Sequence, residues 1–194
     1  IQHIDDDVLE EINRDCSYRE IIDSINLLKI NGYKVDGHLM PDLPGSSFEL
    51  DMEMFRKIFS VSSVNEINKN HKKYILDYPE IQLDQLKIYP CTTVDFTKIK
   101  EWYDEGIYKP YSEDEEKLIE VIKYIKTNIF PWIRLNRIIR DIPNINILGG
   151  NKNVNLRQVV INRMKNEGLV CNCIRCREIK GKESNLENGE IFID

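Results

Sequence analysis

The sequence predicts an α/β fold in which helices and short strands alternate along the chain. The pattern S-x-x-E, whose hydroxyl and carboxylate bond to free amides at a helix start, begins at Ser17, Ser46 and Ser112. Extended segments at 33–40 and 85–89 follow the first and second of these starts. Because strands separated by helices join through right-handed crossovers, we expect a parallel sheet.

The individual elements can be placed in order from these signals. The predicted helices run over residues 18–31, 47–59, 113–128 and 155–168. The first has an apolar stripe and stops at Asn31-Gly32, a sequence typical of helix C-termini. Residues 60–84 are polar and separate the second helix from the second strand. We interpret them as an expanded surface loop.

Composition is that of a soluble globular protein, with 41% apolar and 31% charged residues among 194. A chain of this length can bury one substantial core, with or without a small appendage. The sequence has no apolar run near the roughly 20 residues that cross a bilayer, so we expect no membrane association. The odd number of cysteines, five, and the lack of a secretory signal indicate a reducing compartment, the cytoplasm or the nucleus.

Charge divides the chain into three parts. Residues 1–130 hold 16 Lys and Arg against 26 Asp and Glu, a net charge of -10, whereas residues 131–182 hold 11 against 3, or +8, and residues 183–194 carry -4. The basic part is either a surface for a polyanion or a face that docks on the acidic part. Its cations are Arg134, Arg137, Arg140, Lys152, Arg157, Arg163, Lys165, Arg175, Arg177, Lys180 and Lys182.

Three cysteines within six residues, Cys171, Cys173 and Cys176, are the strongest local signal. The spacings C-x-C and C-x-x-C let thiolates converge on one point, which predicts a tetrahedral zinc site. Buried structural cysteines are the alternative, and a disulfide is disfavoured by the short spacing. The fourth ligand must come from a partner, from sequence beyond Asp194, or from one of the local candidates Cys16, Cys91, His38 and His71.

Two loops follow the predicted strands, at 38–45 and 88–91. In parallel sheets and barrels, the strand ends and the loops after them line the ligand cleft. Two prolines restrict the first loop, and Gly45 with Ser46 exposes free amides at a helix start. His38 is therefore either a satisfied core histidine or a pocket residue.

Six motifs in this order and spacing closely resemble the catalytic-subunit family of Elongator, Elongator protein three. They lie at 38–45 (HLMPDLPG), 86–90 (LKIYP), 108–112 (YKPYS), 140–143 (RDIP), 155–158 (NLRQ) and 171–178 (CNCIRCRE). The resemblance extends from about Ile1 to Glu178. It implies a radical S-adenosylmethionine domain joined by a zinc-bearing linker to an acetyltransferase domain.

The resemblance also implies a division of the chain. Residues 1–130 would be the C-terminal part of a radical S-adenosylmethionine (β/α) barrel, residues 131–182 a mostly helical basic zinc linker, and residues 183–194 an acidic tail leading toward an acetyltransferase domain. The complete enzyme would use a 4Fe-4S cluster, S-adenosylmethionine and acetyl-CoA to carboxymethylate the wobble uridine of tRNA. Cys16 and Cys91 lack the spacing of the family's cluster motif, so we do not expect this chain alone to catalyse the reaction.

Two functional hypotheses of different classes follow. In the first, the chain is part of this tRNA-modifying enzyme, and His38, Met40, Lys87 and Tyr89 face the pocket. The partners would then be tRNA and either other Elongator subunits or a second copy of the chain. In the second, the chain is a non-catalytic, zinc-containing RNA-binding remnant. A radical enzyme acting on a small molecule would share the strand-end loop but would not account for the basic segment.

Both main hypotheses place tRNA on the basic segment, because scattered cations neutralise phosphates without reading sequence. Trp132 and Tyr111 either stack on a base or pack inside the protein. The tRNA-binding candidates are Arg134, Arg137, Arg140, Lys152, Arg157, Arg163, Lys165, Arg175, Arg177 and Lys180.

Overall fold

The computed structural model describes residues 1–68, 71–140 and 142–179. Its helices are α1 (Asp6–Glu11), α2 (Tyr18–Ile30), α3 (Phe48–Ile58), α4 (Lys98–Asp104), α5 (Glu115–Asn128), α6 (Leu156–Asn166) and α7 (Ile174–Arg177). Its strands are β1 (Asp36–Leu39), β2 (Val61–Asn68), β3 (His71–Leu76), β4 (Gln85–Ile88) and β5 (Arg134–Arg137). The predicted tRNA-binding residue Lys180, the basic-segment residue Lys182 and the predicted acidic tail lie outside the described residues.

The predicted α/β fold with a parallel sheet is confirmed. The sheet has the order β1-β4-β5, and both pairs of neighbouring strands are parallel. The register places His38 opposite Lys87 and Leu39 opposite Ile88. Alternate residues therefore point to opposite faces of the sheet.

One face of this sheet is buried in the main core. Leu39, Leu86, Ile88 and Leu135 are all less than 4% exposed, and they belong to one apolar cluster with residues of α2, α3, α5 and α6. The first predicted strand is shorter than expected, because only Asp36–Leu39 pair with β4. Helices on one side of the sheet supply most of the buried apolar surface that stabilises the fold.

The serine pattern predicts two helix starts correctly. Ser17 and Glu20 form a reciprocal capping box at the start of α2. At α3 the capping residue is Ser47 rather than Ser46, since the Ser47 side chain accepts from the amide of Leu50. The predicted helix at 155–168 is α6, which ends at Asn166.

The third serine pattern does not cap a helix. Asp114 caps α5 instead, and its side chain accepts from the amide of Glu116. Ser112 is fully buried in a short 3₁₀ turn, and its amide donates to the carboxylate of Asp42. The contact of Ser112 with a partner 70 residues away in sequence thus shifts the helix cap by two residues, to Asp114.

The interpretation of residues 60–84 as an expanded loop is wrong. Most of this stretch is an antiparallel hairpin of β2 and β3. Its strands are rich in Ser, Asn, Glu and Lys, so they lack the apolar alternation that signals a half-buried strand. The hairpin is attached through Tyr74, whose ring makes edge contacts with the rings of Phe130 and Trp132 at centroid distances of 5.9 and 5.1 Å.

The basic segment begins inside the sheet rather than after it. β5 lies at residues 134–137 and pairs with β4, although the sequence predicted a mostly helical segment here. Four residues with the composition RLNR carry too little apolar pattern to be recognised as a strand. Within the described part of the chain, no helix is both long and apolar enough to span a bilayer.

Candidate functional site

The solvent-facing side of the parallel sheet brings together three of the four predicted pocket residues. The Nζ atom of Lys87 lies 3.1 Å from Nε2 of His38 and 2.7 Å from a carboxylate oxygen of Asp36. The ring of Tyr89 meets the ring of His38 edge to face, with centroids 5.6 Å apart. This arrangement places a lysine that is paired with a carboxylate beside an imidazole ring.

Met40 occupies a different environment. Its sulfur lies 3.4 Å from Nε2 of Gln2, and its backbone amide donates to the carbonyl of Gln2. The side chain packs against a small apolar cluster that includes Leu43 and Cys91. Met40 therefore lies at the end of β1 but is engaged in packing.

The loop after β1 is held by a buried polar network that the sequence did not reveal. The two carboxylate oxygens of Asp42 accept from the amides of Tyr111 and Ser112, at 2.8 and 3.0 Å. Asp42 has a φ of 68° and is 2% exposed. Burial raises the pKa of its carboxyl to about 7, although the amide donors and the Ser112 hydroxyl oppose the shift.

Asp51, at the start of α3, is the second centre of this network. Its carboxylate accepts from Ser46 Oγ at 2.7 Å, from the amide of Asp42 at 2.6 Å and from the hydroxyl of Tyr111 at 2.6 Å. Nε2 of the buried His3 lies 3.2 Å from the same carboxylate. The motifs at 38–45 and 108–112 are thus joined by hydrogen bonds, and this network positions the end of β1.

The three clustered cysteines converge as their spacing predicts. The Sγ atoms of Cys171, Cys173 and Cys176 all lie within 4.8 Å of one another. Sulfurs bound to one tetrahedral zinc at about 2.3 Å are separated by about 3.8 Å, so small side-chain adjustments bring the three to a metal. The donor set therefore fits a soft divalent ion.

Local hydrogen bonds change the pKa values of two of these cysteines, Cys171 and Cys173. The pKa of Cys173 is lowered because the thiol of Cys171 donates to it, assisted by the amides of Leu135 and Cys176. The pKa of Cys171 is raised by that same donation and by burial. A thiolate is the form that ligates metals, and these hydrogen bonds favour the thiolate at Cys173.

The local candidates for a fourth ligand do not lie beside the three cysteines. In the part of the chain that the structure describes, neither Cys16, Cys91 nor His38 belongs to the group. Cys91 is buried, and burial raises the pKa of its thiol to about 12. The side chain of His71 is outside the described part.

The cysteine loop is tied to the end of α5 and to β5. Ile174 donates its amide to the carbonyl of Ile133 at 3.0 Å. The guanidinium of Arg177 donates to the carbonyl of Asn172 at 2.8 Å and to the carbonyl of Pro131. Arg177 therefore holds the loop in place, a structural role that its charge alone does not indicate.

Apart from Arg137, Arg177 and Lys180, the predicted tRNA-binding residues divide into two groups. Arg163 pairs with Glu116 of α5, and Arg134 pairs with Glu178, so part of the basic segment does dock on acidic side chains. The second group has no ion pair among the described residues and reaches solvent at least in part. It consists of Arg140, Lys152, Arg157, Lys165 and Arg175.

The two aromatic candidates are engaged in packing. Trp132 stacks on Phe130, with ring centroids 4.8 Å apart, and keeps 41% of its surface exposed. Tyr111 contacts Phe48 edge to face and bonds to Asp51. Trp132 is thus an exposed edge of an aromatic cluster, while Tyr111 belongs to the buried network.

Comparisons with known proteins agree with this architecture. A family model described as the Radical_SAM C-terminal domain matches residues 83–166. The chain is 40% identical over 179 residues to the tRNA uridine(34) acetyltransferase of Methanocaldococcus infernus. This alignment covers 92% of the present chain and 30% of that protein. The chain is 33% identical over 179 residues to Elongator complex protein 3 of Saccharomyces cerevisiae, covering 92% of this chain and 29% of that protein.

A solved structure also resembles the chain over 92% of its length. The Elp3 of Methanocaldococcus infernus with an N-terminal deletion of residues 1–46 superposes with a TM-score of 0.77 at 40% identity, covering 92% of this chain and 37% of that one. The chain thus spans about 30% of the length of the curated relatives it matches. It belongs to the family that contains the tRNA uridine(34) acetyltransferases and Elongator complex protein 3, and residues 83–166 are its Radical_SAM C-terminal domain.

Proposed function

We propose that the chain is part of a tRNA wobble-uridine acetyltransferase. In this proposal the solvent-facing side of the parallel sheet forms part of the substrate pocket wall, and the free cations of the basic segment form part of the tRNA-binding surface. Relatives that align with 92% of the chain carry the name tRNA uridine(34) acetyltransferase. The activity belongs to the complete protein, of which this chain would be one segment.

The observation that carries the proposal is the polar face of the sheet. Parallel sheets in α/β proteins normally have both faces covered. Here one face is buried, while the other presents the half-exposed, polar or charged side chains of Asp36, His38, Gln85, Lys87, Arg134 and Asn136. Such a face suits the inside of a barrel whose remaining strands come from elsewhere in the complete protein.

Radical S-adenosylmethionine enzymes require an iron–sulfur cluster to cleave their cofactor. In the part of the chain described, the only grouped cysteines are the three of the 171–176 loop, and Cys16 and Cys91 stand apart. In this proposal the three cysteines of the loop hold zinc, and the iron–sulfur cluster is bound elsewhere in the complete protein. The segment's own contribution would be to orient the substrate through the side chains of His38, Lys87 and Tyr89.

We assign zinc to the cysteine loop as a structural metal. Three thiolates at short spacing are typical of structural zinc sites, with the fourth position filled by another ligand or by water. A bound ion would fix the loop against β5 more strongly than its few apolar contacts can. It would thereby hold Arg175 in a constant direction beside the tRNA path.

The proposal is tested with the complete protein, acetyl-CoA, S-adenosylmethionine, a reductant and an unmodified tRNA transcript. We expect His38→Ala and Lys87→Met to reduce uridine modification at least tenfold while tRNA affinity stays within twofold. Lys34→Met is the matched control, because Lys34 is an exposed lysine outside the polar face. If uridine modification is unchanged in both variants, His38 and Lys87 do not belong to the substrate pocket.

The same experiment distinguishes the alternative of a non-catalytic RNA-binding remnant. That alternative requires tRNA binding with no uridine modification under any of these conditions. Co-purification with other Elongator subunits, or self-association measured by light scattering, would then identify the assembly to which the segment contributes. The homologues named as Elongator complex protein 3 make such an assembly the natural form to examine.

A further inference from the structure

A cavity of about 250 Å³ lies beside the cysteine loop, between α5, β5 and α6. Four of its lining residues are cationic, namely Lys126, Arg137, Arg157 and Arg175, and none of its described lining residues is acidic. We propose that this cavity binds a single phosphate group, and that the group is a backbone phosphodiester of the bound RNA. The inference rests on the proposed function and narrows it to one site.

Lys126 is the residue that makes this cavity unusual. It is only 4% exposed, although lysine is seldom buried without a partner. Its Nζ atom lies 3.9 Å from Sγ of Cys176, and no carboxylate of the described residues pairs with it. A buried ammonium needs a compensating anion, and the cavity is the space in which an anion can reach it.

The cysteine cluster accounts for only part of this positive charge. A divalent metal bound by three thiolates would carry one net negative charge, which offsets one of the four positive charges around the cavity. Arg157 and Arg175 then remain without a carboxylate partner among the described residues. Arg137 takes part in a further interaction, so the proposal rests on the other three cations.

The size and lining of the cavity select the ligand. Its volume is below the usual range for pockets that enclose a whole small molecule, roughly 300 to 1,000 Å³, so a single phosphate with its water suits it better than a nucleotide. Two guanidinium groups match phosphate oxygens in geometry, and the buried ammonium adds a point charge. Ile138, Ile139 and Val154 complete the wall beside these polar groups.

The first test measures binding of the complete protein to a fluorescent tRNA transcript between about 50 and about 200 mM salt. We expect Lys126→Met, Arg157→Gln and Arg175→Gln each to weaken binding about three- to tenfold. We also expect each to reduce the slope of log affinity against log salt by about one. Lys117→Met is the matched control, since Lys117 is an exposed lysine on the same helix and outside the cavity. Its affinity and slope should equal those of the parent protein.

The second test identifies the source of the phosphate. Thermal unfolding is compared in inorganic phosphate and in chloride at equal ionic strength, without RNA. We expect phosphate to stabilise the parent protein, and Lys126→Met and Arg157→Gln to abolish that gain. Stabilisation by phosphate together with unchanged RNA slopes in the variants would overturn the assignment to the RNA backbone, because the site would then serve a free phosphate.

Further measurements keep the test decisive. Zinc content is determined for every variant, so that a disturbed cysteine loop is not mistaken for a lost phosphate contact. Should Lys126→Met fail to fold, Arg157→Gln decides the question, because Arg157 lies on α6 outside the cysteine loop. Unchanged RNA slopes and no phosphate effect overturn the cavity proposal while leaving tRNA binding in place. A parent protein that does not bind tRNA at all contradicts the proposed function instead.

Discussion

The hydroxyl of Tyr111 donates a 2.6 Å hydrogen bond to the carboxylate of Asp51, which lies 60 residues earlier in the sequence. This bond joins the segment before α5 to the start of α3 above the end of β1. The neighbouring bonds from the amides of Tyr111 and Ser112 to Asp42 complete the connection. The strand-end loop is therefore held by residues distant in sequence rather than by its own prolines.

Removing this hydroxyl tests its contribution. We expect Tyr111→Phe to lower the free energy of unfolding by about 1 to 3 kcal/mol, because the fully buried Asp51 carboxylate loses a hydrogen-bond donor. Urea unfolding followed by circular dichroism measures the change. Tyr33→Phe, at a tyrosine that is 64% exposed, is the control and should have no effect. Equal stability of both variants would contradict the role of the bond.

The raised pKa of Asp42 predicts a specific pH dependence. The unfolded carboxyl releases its proton near its ordinary pKa of 3.8, whereas the folded one retains it up to about 7. Between these values the folded state binds more protons, so the free energy of unfolding should fall as the pH rises from about 4 to about 7.

Asp42→Asn should flatten this dependence, although the variant is less stable overall because its amide nitrogen cannot accept from a backbone amide. Unfolding is measured in urea at several pH values with a chelator present throughout, since metal binding to thiolates has the opposite pH dependence. An unchanged pH profile in Asp42→Asn would show that another group is responsible.

The cysteine loop should bind one zinc ion per chain. Cys173→Ser is expected to abolish this binding, because Cys173 is the sulfur whose pKa is lowered and which lies at the start of α7. Elemental analysis of purified protein and titration with a chromogenic chelator measure the stoichiometry. Cys16→Ser is the control and should retain full zinc content, since Cys16 is outside the cluster. Zinc retained by Cys173→Ser would place the metal elsewhere.

Arg177 should support the metal site without touching the ion. Its bonds to the carbonyls of Asn172 and Pro131 hold the loop, so Arg177→Ala is expected to lower zinc affinity about tenfold, as for other residues that orient ligands. Competition with a chelator of known affinity measures the shift. Arg19→Ala, at an exposed arginine of α2, serves as the control. If Arg177→Ala weakens RNA binding but leaves the zinc affinity unchanged, Arg177 contacts RNA and does not support the metal site.

Local sequence signals predicted much of the molecule because they act over a few residues. The capping box of Ser17 and Glu20, the stripe of α2 and the convergence of three cysteines depend on spacing within one turn or loop. The face of the sheet that carries His38 and Lys87 also follows from alternation along short strands.

By itself, then, the sequence determined the α/β class, the four longest of the described helices, the convergence of three cysteines and the family resemblance. The tertiary structure alone decided that Ser112 bonds to Asp42 instead of capping α5, that residues 61–68 and 71–76 pair as a hairpin held by Tyr74, and that Arg177 ties the cysteine loop. It also decided that Lys126 is buried at a cationic cavity. Each of these depends on a partner many residues away, and the free energy of such contacts is set by burial and geometry that local pattern does not encode.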